Sequence, residues 1–348
     1  MDVATIRERQ HTATLHKLEV IVRVSGKTAF VRFPESIARY LAALPPLPAD
    51  LRHRKGVRRQ RQWIWFYVGF VFARCPGLFR YFSATIVAER LVIMKFVIVP
   101  QEEFAQAAGD YLVRRIFSLS SFPYTIGTAT GGTMEGIYRG LVERALGDPG
   151  LLGSLRAANY FAMDEYVGLS ADNPQSYSYF MKQRLLSPLG IHMENLRLPS
   201  EETAIPSRDA PGGYSVYDQM IAAVGGIDLQ FAGIGENGHL AFNEPGSLET
   251  SWTRRIQLAP GTIQANARFF SDPSEVPCEA YTMGIQTILN AKSVILFASG
   301  KKKARAVQRM IEGLPGSDCP ASFLVRHNDV TVFLDWDAAA DLRSGLNK

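Results

Sequence analysis

A chain of 348 residues, 47% hydrophobic and 20% charged, has the balance of a globular protein with one large or two ordinary domains, not that of a fibrous or disordered one. Its three widely spaced cysteines, Cys75, Cys278 and Cys319, argue against a disulfide framework or a zinc site and point to a reducing compartment. The net charge of +5 hides an asymmetry: residues 1–93 hold 16 Lys/Arg against 6 Asp/Glu, leaving 22 against 27 for the rest, as if two unlike segments were joined.

In the first segment, Leu18–Phe33 alternates as a β-hairpin does around Ser25-Gly26, and "PESIARYLAALPPLP" reads as a short helix stopped by Pro45 and Pro46. A basic run, "RHRKGVRRQRQ", then precedes the apolar stretch Trp63–Ala73. Eleven apolar residues followed by Arg74 fall short of the ~20 that a membrane helix needs, and they lie too far in for a secretory signal. Basic and aromatic runs side by side are one way to rest on an anionic membrane surface. The plainer reading, which we prefer, makes residues 1–93 an irregular basic, aromatic extension outside the working domain, residues 94–348.

From Met94 the character changes. "KFVIVP" reads as a buried strand and "EEFAQAAGDYLVRRI" as a helix with Phe104, Ala108, Tyr111 and Leu112 on one face. The alternation repeats. Strand-like runs are "YTIGTA", "ANYFAM", "IDLQFAG", "SVILFAS" and "VTVFLDW"; helical stretches between them include "MEGIYRGLVERAL", "SYSYFMKQRLL", "YSVYDQMIAAV" and "KKARAVQRMIEG". This order predicts an α/β fold, a doubly wound and mainly parallel sheet with helices on both faces. Ligands in such folds bind beyond the carboxyl ends of the strands, which is where chemistry is sought.

Four strand ends carry it. "TATGGTMEG" joins a strand to a helix whose first N–H groups suit a phosphate, although it lacks the Lys-Ser/Thr of a P-loop; a plain turn capped by Thr133 reads equally well. "FAMDEYVGL" places Asp164 and Glu165 directly after a strand, where a carboxylate is either a solvated loop charge or a general base. In "GIGENGHLAFNEPG" the glycines set His239 in a tight loop, with carboxylates near enough to fix its tautomer and stabilise its cation. In "ASGKKKARAV" three lysines at a helix start oppose the helix dipole, which a bound anion offsets, and Arg268 in "ANARFF" adds a bidentate phosphate donor. No second His or Cys stands at metal-ligand spacing, no nucleophile elbow supports a serine triad, and no cofactor signature is present. What remains suits proton transfer on a sugar phosphate.

These motifs, with "NPQSYSYFM" and "TRRIQL", are similar in kind and order to those of the glucosamine-6-phosphate deaminases, of the glucosamine/galactosamine-6-phosphate isomerase family, from about Met94 to the C-terminus. The resemblance implies a modified Rossmann-like fold and a small-molecule substrate. Aminosugar phosphate and water would give fructose 6-phosphate and ammonia, without a cofactor or metal. It assigns Asp164 as the base that moves a proton from C2 to C1, His239 as the ring-opening residue, and Glu244 as its partner. Gly131, Gly132, Thr133, Arg268 and Lys303 would hold the phosphate.

The chain departs from the pattern at Asn237, where some members carry Asp, so that Glu244 bears more of the charge on His239. Met134 replaces a common Pro. Ile256 stands where allosterically regulated members place a Lys, although Ser247 and Arg254 fit, and this argues against activation by N-acetylglucosamine 6-phosphate. Relatives include monomers and hexamers, which leaves a homo-oligomer open. Competing readings are a galactosamine-6-phosphate deaminase, a 6-phosphogluconolactonase, or a sugar-phosphate-sensing DNA-binding regulator. No helix-turn-helix in residues 1–62 supports the last, and no nucleic-acid partner is expected. The whole pattern points to the cytoplasm.

Overall fold

The alternation of apolar runs and amphipathic stretches after Ile93 becomes strands and the helices that cover them. The computed structural model describes residues 18–24, 27–32, 93–206, 213–267, 270, 272 and 275–342; for 18–24, 27–32, 93 and 265–266 it describes the backbone alone. The expected Pro34–Pro48 helix, the basic run and Trp63–Ala73 lie outside these residues, as does Arg268.

The strands are β1 Leu18–Val24, β2 Lys27–Arg32, β3 Ile93–Val99, β4 Thr125–Thr128, β5 Asn159–Ala162, β6 Asp164–Tyr166, β7 Leu196–Arg197, β8 Leu229–Gly233, β9 Arg254–Gln257, β10 Glu279–Thr282, β11 Val294–Ala298 and β12 Val330–Asp335. The main helices are α1 Phe104–Phe117, α2 Gly132–Gly147, α3 Pro149–Ala157, α4 Tyr177–Met181, α5 Val216–Ala223, α6 Pro260–Asn266, α7 Ile285–Leu289 and α8 Ala304–Glu312. A π-helical stretch, Lys182–Leu186, prolongs α4.

The main sheet has the order β2-β1-β3-β12-β11-β8-β4-β5-β7. From β3 to β7 every pairing is parallel; β1 lies antiparallel on β3 and pairs antiparallel with β2. The chain leaves β4 toward β5 in one direction and leaves β8 toward β11 in the other. With right-handed crossovers, helices on these two arms fall on opposite faces, and a crevice opens between the carboxyl ends of β4 and β8.

Apolar runs make the central strands, because both faces are covered: β4, β11 and β12 are buried throughout. On one face Phe231, Phe297, Phe333 and Phe104 form a row, with ring centroids 6.3, 5.8 and 5.5 Å apart, that ties β8, β11 and β12 to α1. Each such buried ring stabilises by about 2–3 kcal/mol, so the row fixes the strands whose ends build the site. A second, antiparallel sheet, β6-β10-β9, stands beyond β5 around a small cluster of Tyr166, Phe242, Leu258 and Ala280. Sequence alternation shows no sign of this sheet. Its strands are three or four residues long, and β9 alternates half-buried and exposed residues.

Among the described residues no helix is long and apolar enough to cross a membrane, and no His/Cys/Asp/Glu group is placed to hold a metal ion.

Candidate active site

Four loops meet at the carboxyl ends of β4, β5, β8 and β11. After β4 the chain turns into α2 at Gly131, whose φ of +98° is open to glycine alone at low cost. No side chain caps this helix, and Thr133 lies inside its first turn. The alternative of a turn capped by Thr133 is thus excluded: Gly131 is the N-cap, and the first amides of α2 are left without a side-chain acceptor. After β11, Gly300 (φ +87°) begins a turn, Lys301–Lys303, that leads into α8. Asp335 at the end of β12 holds this turn, accepting from Ser299 Oγ at 2.6 Å and from the N–H of Gly300 at 2.9 Å. Gly132 and Thr133 face Ser299–Lys303 across a cavity of about 330 Å³, which Glu236 also lines. Glycine backbone, helix-start amides and three ammonium groups in one cavity suit a phosphate dianion.

Asp164 opens β6 directly after β5 and is 6% exposed. Burial first, and the adjacent Glu165 charge second, push its carboxyl well above the usual carboxylate range. The neighbouring acid has another duty. Glu165 accepts the N–H groups of Tyr166 (2.8 Å), Tyr177 (3.0 Å) and Ser178 (2.8 Å), so it pins the start of α4 to β6. Those donors lower its pKa, yet burial outweighs them and the net direction is upward. The adjacent carboxylates are thus separated: Glu165 is spent on backbone, and Asp164 accepts no hydrogen bond from any described residue.

The β8 loop explains its own spacing. Asn243 N–H bonds to Leu240 O at 2.9 Å and closes a four-residue turn, which leaves His239 just before it and Glu244 just after, facing one another. Within that turn Ala241 has φ +51°, the only positive φ outside glycine among the described residues, a strained bend at the point where the chain must reverse. His239 Nδ1 lies 3.4 Å from Glu244 Oε1, an ion-pair distance without hydrogen-bond alignment. Asn237 bridges the two: its Nδ2 donates to Glu244 Oε2 at 2.6 Å, and its Oδ1 accepts the His239 N–H at 3.1 Å. Thr262 of α6 donates to Glu244 Oε1. Burial pulls the Glu244 carboxyl up, but the contact and charge of His239 and the donors Thr262 and Asn237 outweigh it and hold it at about 2.

Two glycines make this loop possible. A Cβ on Gly235 would stand 2.2 Å from the His239 ring, and one on Gly238 (φ +94°) 2.5 Å from Cys319 Sγ. The β6 and β8 loops are joined through Thr282, which pairs with Asp164 in the β6–β10 ladder and accepts the Phe242 N–H on its hydroxyl at 3.2 Å. Asn243 Nδ2 adds a bond to Met283 O at 2.7 Å.

Of the residues the sequence singles out, Asn237, His239 and Glu244 form one cluster, and Gly132, Thr133 and Lys303 line one cavity with Gly131 at its helix start. Thr282 links Asp164, its ladder partner, to Phe242 of the turn between His239 and Glu244. Ser247 and Arg254 are paired with each other at 3.4 Å, Arg254 also donating to Asn243 Oδ1 at 2.9 Å. Sequence reasoning missed Thr262 and the capping duty of Glu165, since both act across more than ten residues of sequence with no local pattern to mark them.

Residues 100–333 match the family model for glucosamine-6-phosphate isomerases/6-phosphogluconolactonase. The chain is 45% identical over 251 residues to the glucosamine-6-phosphate deaminase of Rhodopirellula baltica, an alignment that spans 72% of this chain and 96% of that one. It is 43% identical over 222 residues to glucosamine-6-phosphate deaminase 2 of Bacillus subtilis, covering 63% of this chain and 86% of that one. Among solved structures it is similar to a monomeric glucosamine-6-phosphate deaminase, with 38% identity and a TM-score of 0.63 over 71% of this chain and 100% of that one. A 6-phosphogluconolactonase from Trypanosoma cruzi, 23% identical with a TM-score of 0.56 over 71% of this chain and 96% of that one, shares the fold.

Proposed function

The chain belongs to the glucosamine-6-phosphate isomerase/6-phosphogluconolactonase family, and within it we propose that it converts glucosamine 6-phosphate and water to fructose 6-phosphate and ammonia. The observation that carries the reading is the pair of oppositely tuned carboxylates: a buried Asp164 with a raised pKa, and a Glu244 held ionised beside His239. A base must bind a proton well to move it between carbons, and the raised Asp164 carboxyl is suited to take one from C2 and return it to C1. A ring-opening acid must instead be kept oriented, and Glu244, 3.4 Å from His239 Nδ1, is placed to do so. Water then adds at C2 of the resulting imine and ammonia leaves. The phosphate docks on Gly131, Gly132, Thr133 and Lys303, with Arg268 as a further cation. Free Cys278 and Cys319 fit a reducing, cytoplasmic setting. Ile256 packs against the small cluster of the second sheet, an apolar setting with no use for an effector-binding lysine, and we expect no activation by N-acetylglucosamine 6-phosphate.

Ammonia release from glucosamine 6-phosphate and from galactosamine 6-phosphate, set beside hydrolysis of 6-phosphogluconolactone, tests the reading. Turnover of the glucosamine epimer well above the other two is expected; lactone hydrolysis without ammonia release would overturn it.

A further inference from the structure

Glu244 is held by three groups, and only two of them belong to its own loop. We infer that Thr262 is a positioning residue for the reaction, acting through Glu244 on His239. This rests on the proposed deaminase reading. The carboxylate's Oε2 is fixed by Asn237 Nδ2 at 2.6 Å. Its Oε1 is the oxygen that faces His239 Nδ1, and it also accepts the Thr262 hydroxyl. An ionised carboxylate has only acceptor sites, so the Thr262 hydroxyl must be the donor. Without it, rotation about the last side-chain bond of Glu244 is restrained at one oxygen alone, and the edge presented to the imidazole is no longer set.

Thr262 comes from outside the catalytic loops. It lies in the first turn of α6, which begins at Pro260 with no side-chain cap from Ala259. The neighbouring Ile263 packs on the cluster of Tyr166, Phe242, Leu258 and Ala280. That cluster includes Tyr166 of β6, two residues after Asp164, and Phe242 of the turn between His239 and Glu244. The small second sheet therefore has a chemical role: through α6 it delivers one hydroxyl to the carboxylate that orients the ring-opening histidine. The charged and titratable group facing Glu244 from these elements is His239; its other contacts, Asn237 and Thr262, are neutral. Loss of the Thr262 donor leaves burial less opposed, and the Glu244 carboxyl rises from about 2.

The test uses the full chain with Thr262→Val, which keeps the shape and deletes the hydroxyl, and Thr262→Ser, which keeps the hydroxyl and deletes the methyl. A hydrogen bond to a charged group of this kind corresponds to a loss of about tenfold or more in kcat. For Thr262→Val on glucosamine 6-phosphate we expect that loss, with KM changed by less than about twofold because the interaction is remote from the phosphate. Thr262→Ser should restore kcat. Carboxyl-carbon NMR of Glu244 between pH 7 and 3 reads the same contact without turnover: protonation should begin at higher pH in Thr262→Val than in the wild type or Thr262→Ser. A wild type without ammonia release refutes the deaminase reading and leaves the NMR comparison to decide Thr262. A Val variant with wild-type kcat and an unmoved Glu244 titration overturns the inference. So does a Ser variant as impaired as Val, which would assign the effect to packing of the methyl.

Discussion

Asp164 should make the protein less stable than it would be with a neutral group in its place, and increasingly so as pH rises. Its carboxyl is buried, receives no hydrogen bond from a described residue and sits beside Glu165, so its pKa stands well above the ordinary 3.8. A folded-state pKa raised above the unfolded value contributes stability that is fully present below the unfolded pKa and is lost as pH rises through the folded one. Between those two values the native state holds a proton that the unfolded chain gives up. Wild-type stability therefore falls relative to Asp164→Asn by up to about 1.4 kcal/mol per pH unit. At about 2–4 °C per kcal/mol for a domain of this size, Tm of the variant gains about 3–6 °C per pH unit over the wild type, from near zero at pH 4 to a plateau above the folded pKa. Scanning calorimetry of both proteins from pH 4 to 8 measures it, and ammonia release should be lost in the variant throughout. Tm curves that run parallel between pH 4 and 7 would refute the reasoning, because Asp164 would then titrate in the fold as it does in water.

Two further outcomes follow from the loop and from the N-terminal segment. Gly238→Ala places a Cβ at φ +94° and 2.5 Å from Cys319 Sγ, so we expect a loss of about 1–3 kcal/mol in urea unfolding together with reduced kcat; adding Cys319→Ala should recover the part due to contact but not the part due to φ. Protein beginning at Met94 keeps both described core clusters and every strand from β4 to β12, and loses the β1–β2 hairpin that covers the edge of β3. We expect it to fold and to turn over within about twofold of the full chain, with the bared β3 edge showing as association at high concentration in light scattering; an inactive or insoluble product would show that residues 1–93 belong to the working domain.

The main sheet was legible because its strands are buried on both faces and its helices on one. Runs such as Val294–Ala298 and Val330–Asp335 are therefore wholly apolar or nearly so, and α8 shows its buried Ala304, Val307 and Ile311 at helical spacing. The cavity between Gly132 and Lys303 and the His239 loop were legible for a related reason: glycines cluster where backbone must turn with positive φ or let a ring lie against it, as at Gly131, Gly235, Gly238 and Gly300. The second sheet was not. Three-residue β6 carries too few positions for a period, and its place is set by contacts with Thr282 and Phe242 far along the chain. Nor was the difference between Asp164 and Glu165, which sequence presents as equals. Successive side chains on a strand point to opposite faces, and only the fold shows which face meets the start of α4.

That last difference bears on how one site keeps two carboxylates at different work. Burial pushes Asp164 and Glu244 in the same direction, toward the neutral acid. Donors separate them. Glu244 has Asn237 on one oxygen and Thr262 and His239 on the other, which hold its carboxyl at about 2, so in the proposed reaction it would act as an anion that orients and stabilises. Asp164 is offered no donor, while the adjacent Glu165 is given three that favour its anion, although burial still leaves Glu165 raised; Asp164 is the carboxyl of the two with no hydrogen-bond duty. Had the backbone N–H groups of Tyr177 and Ser178 met Asp164 instead, they would have favoured its anion and weakened it as a base. In the proposed reaction, the choice of Asp164 as base thus follows from which carboxylate the second sheet and α4 leave unpaired, a choice made by one-residue register on β6.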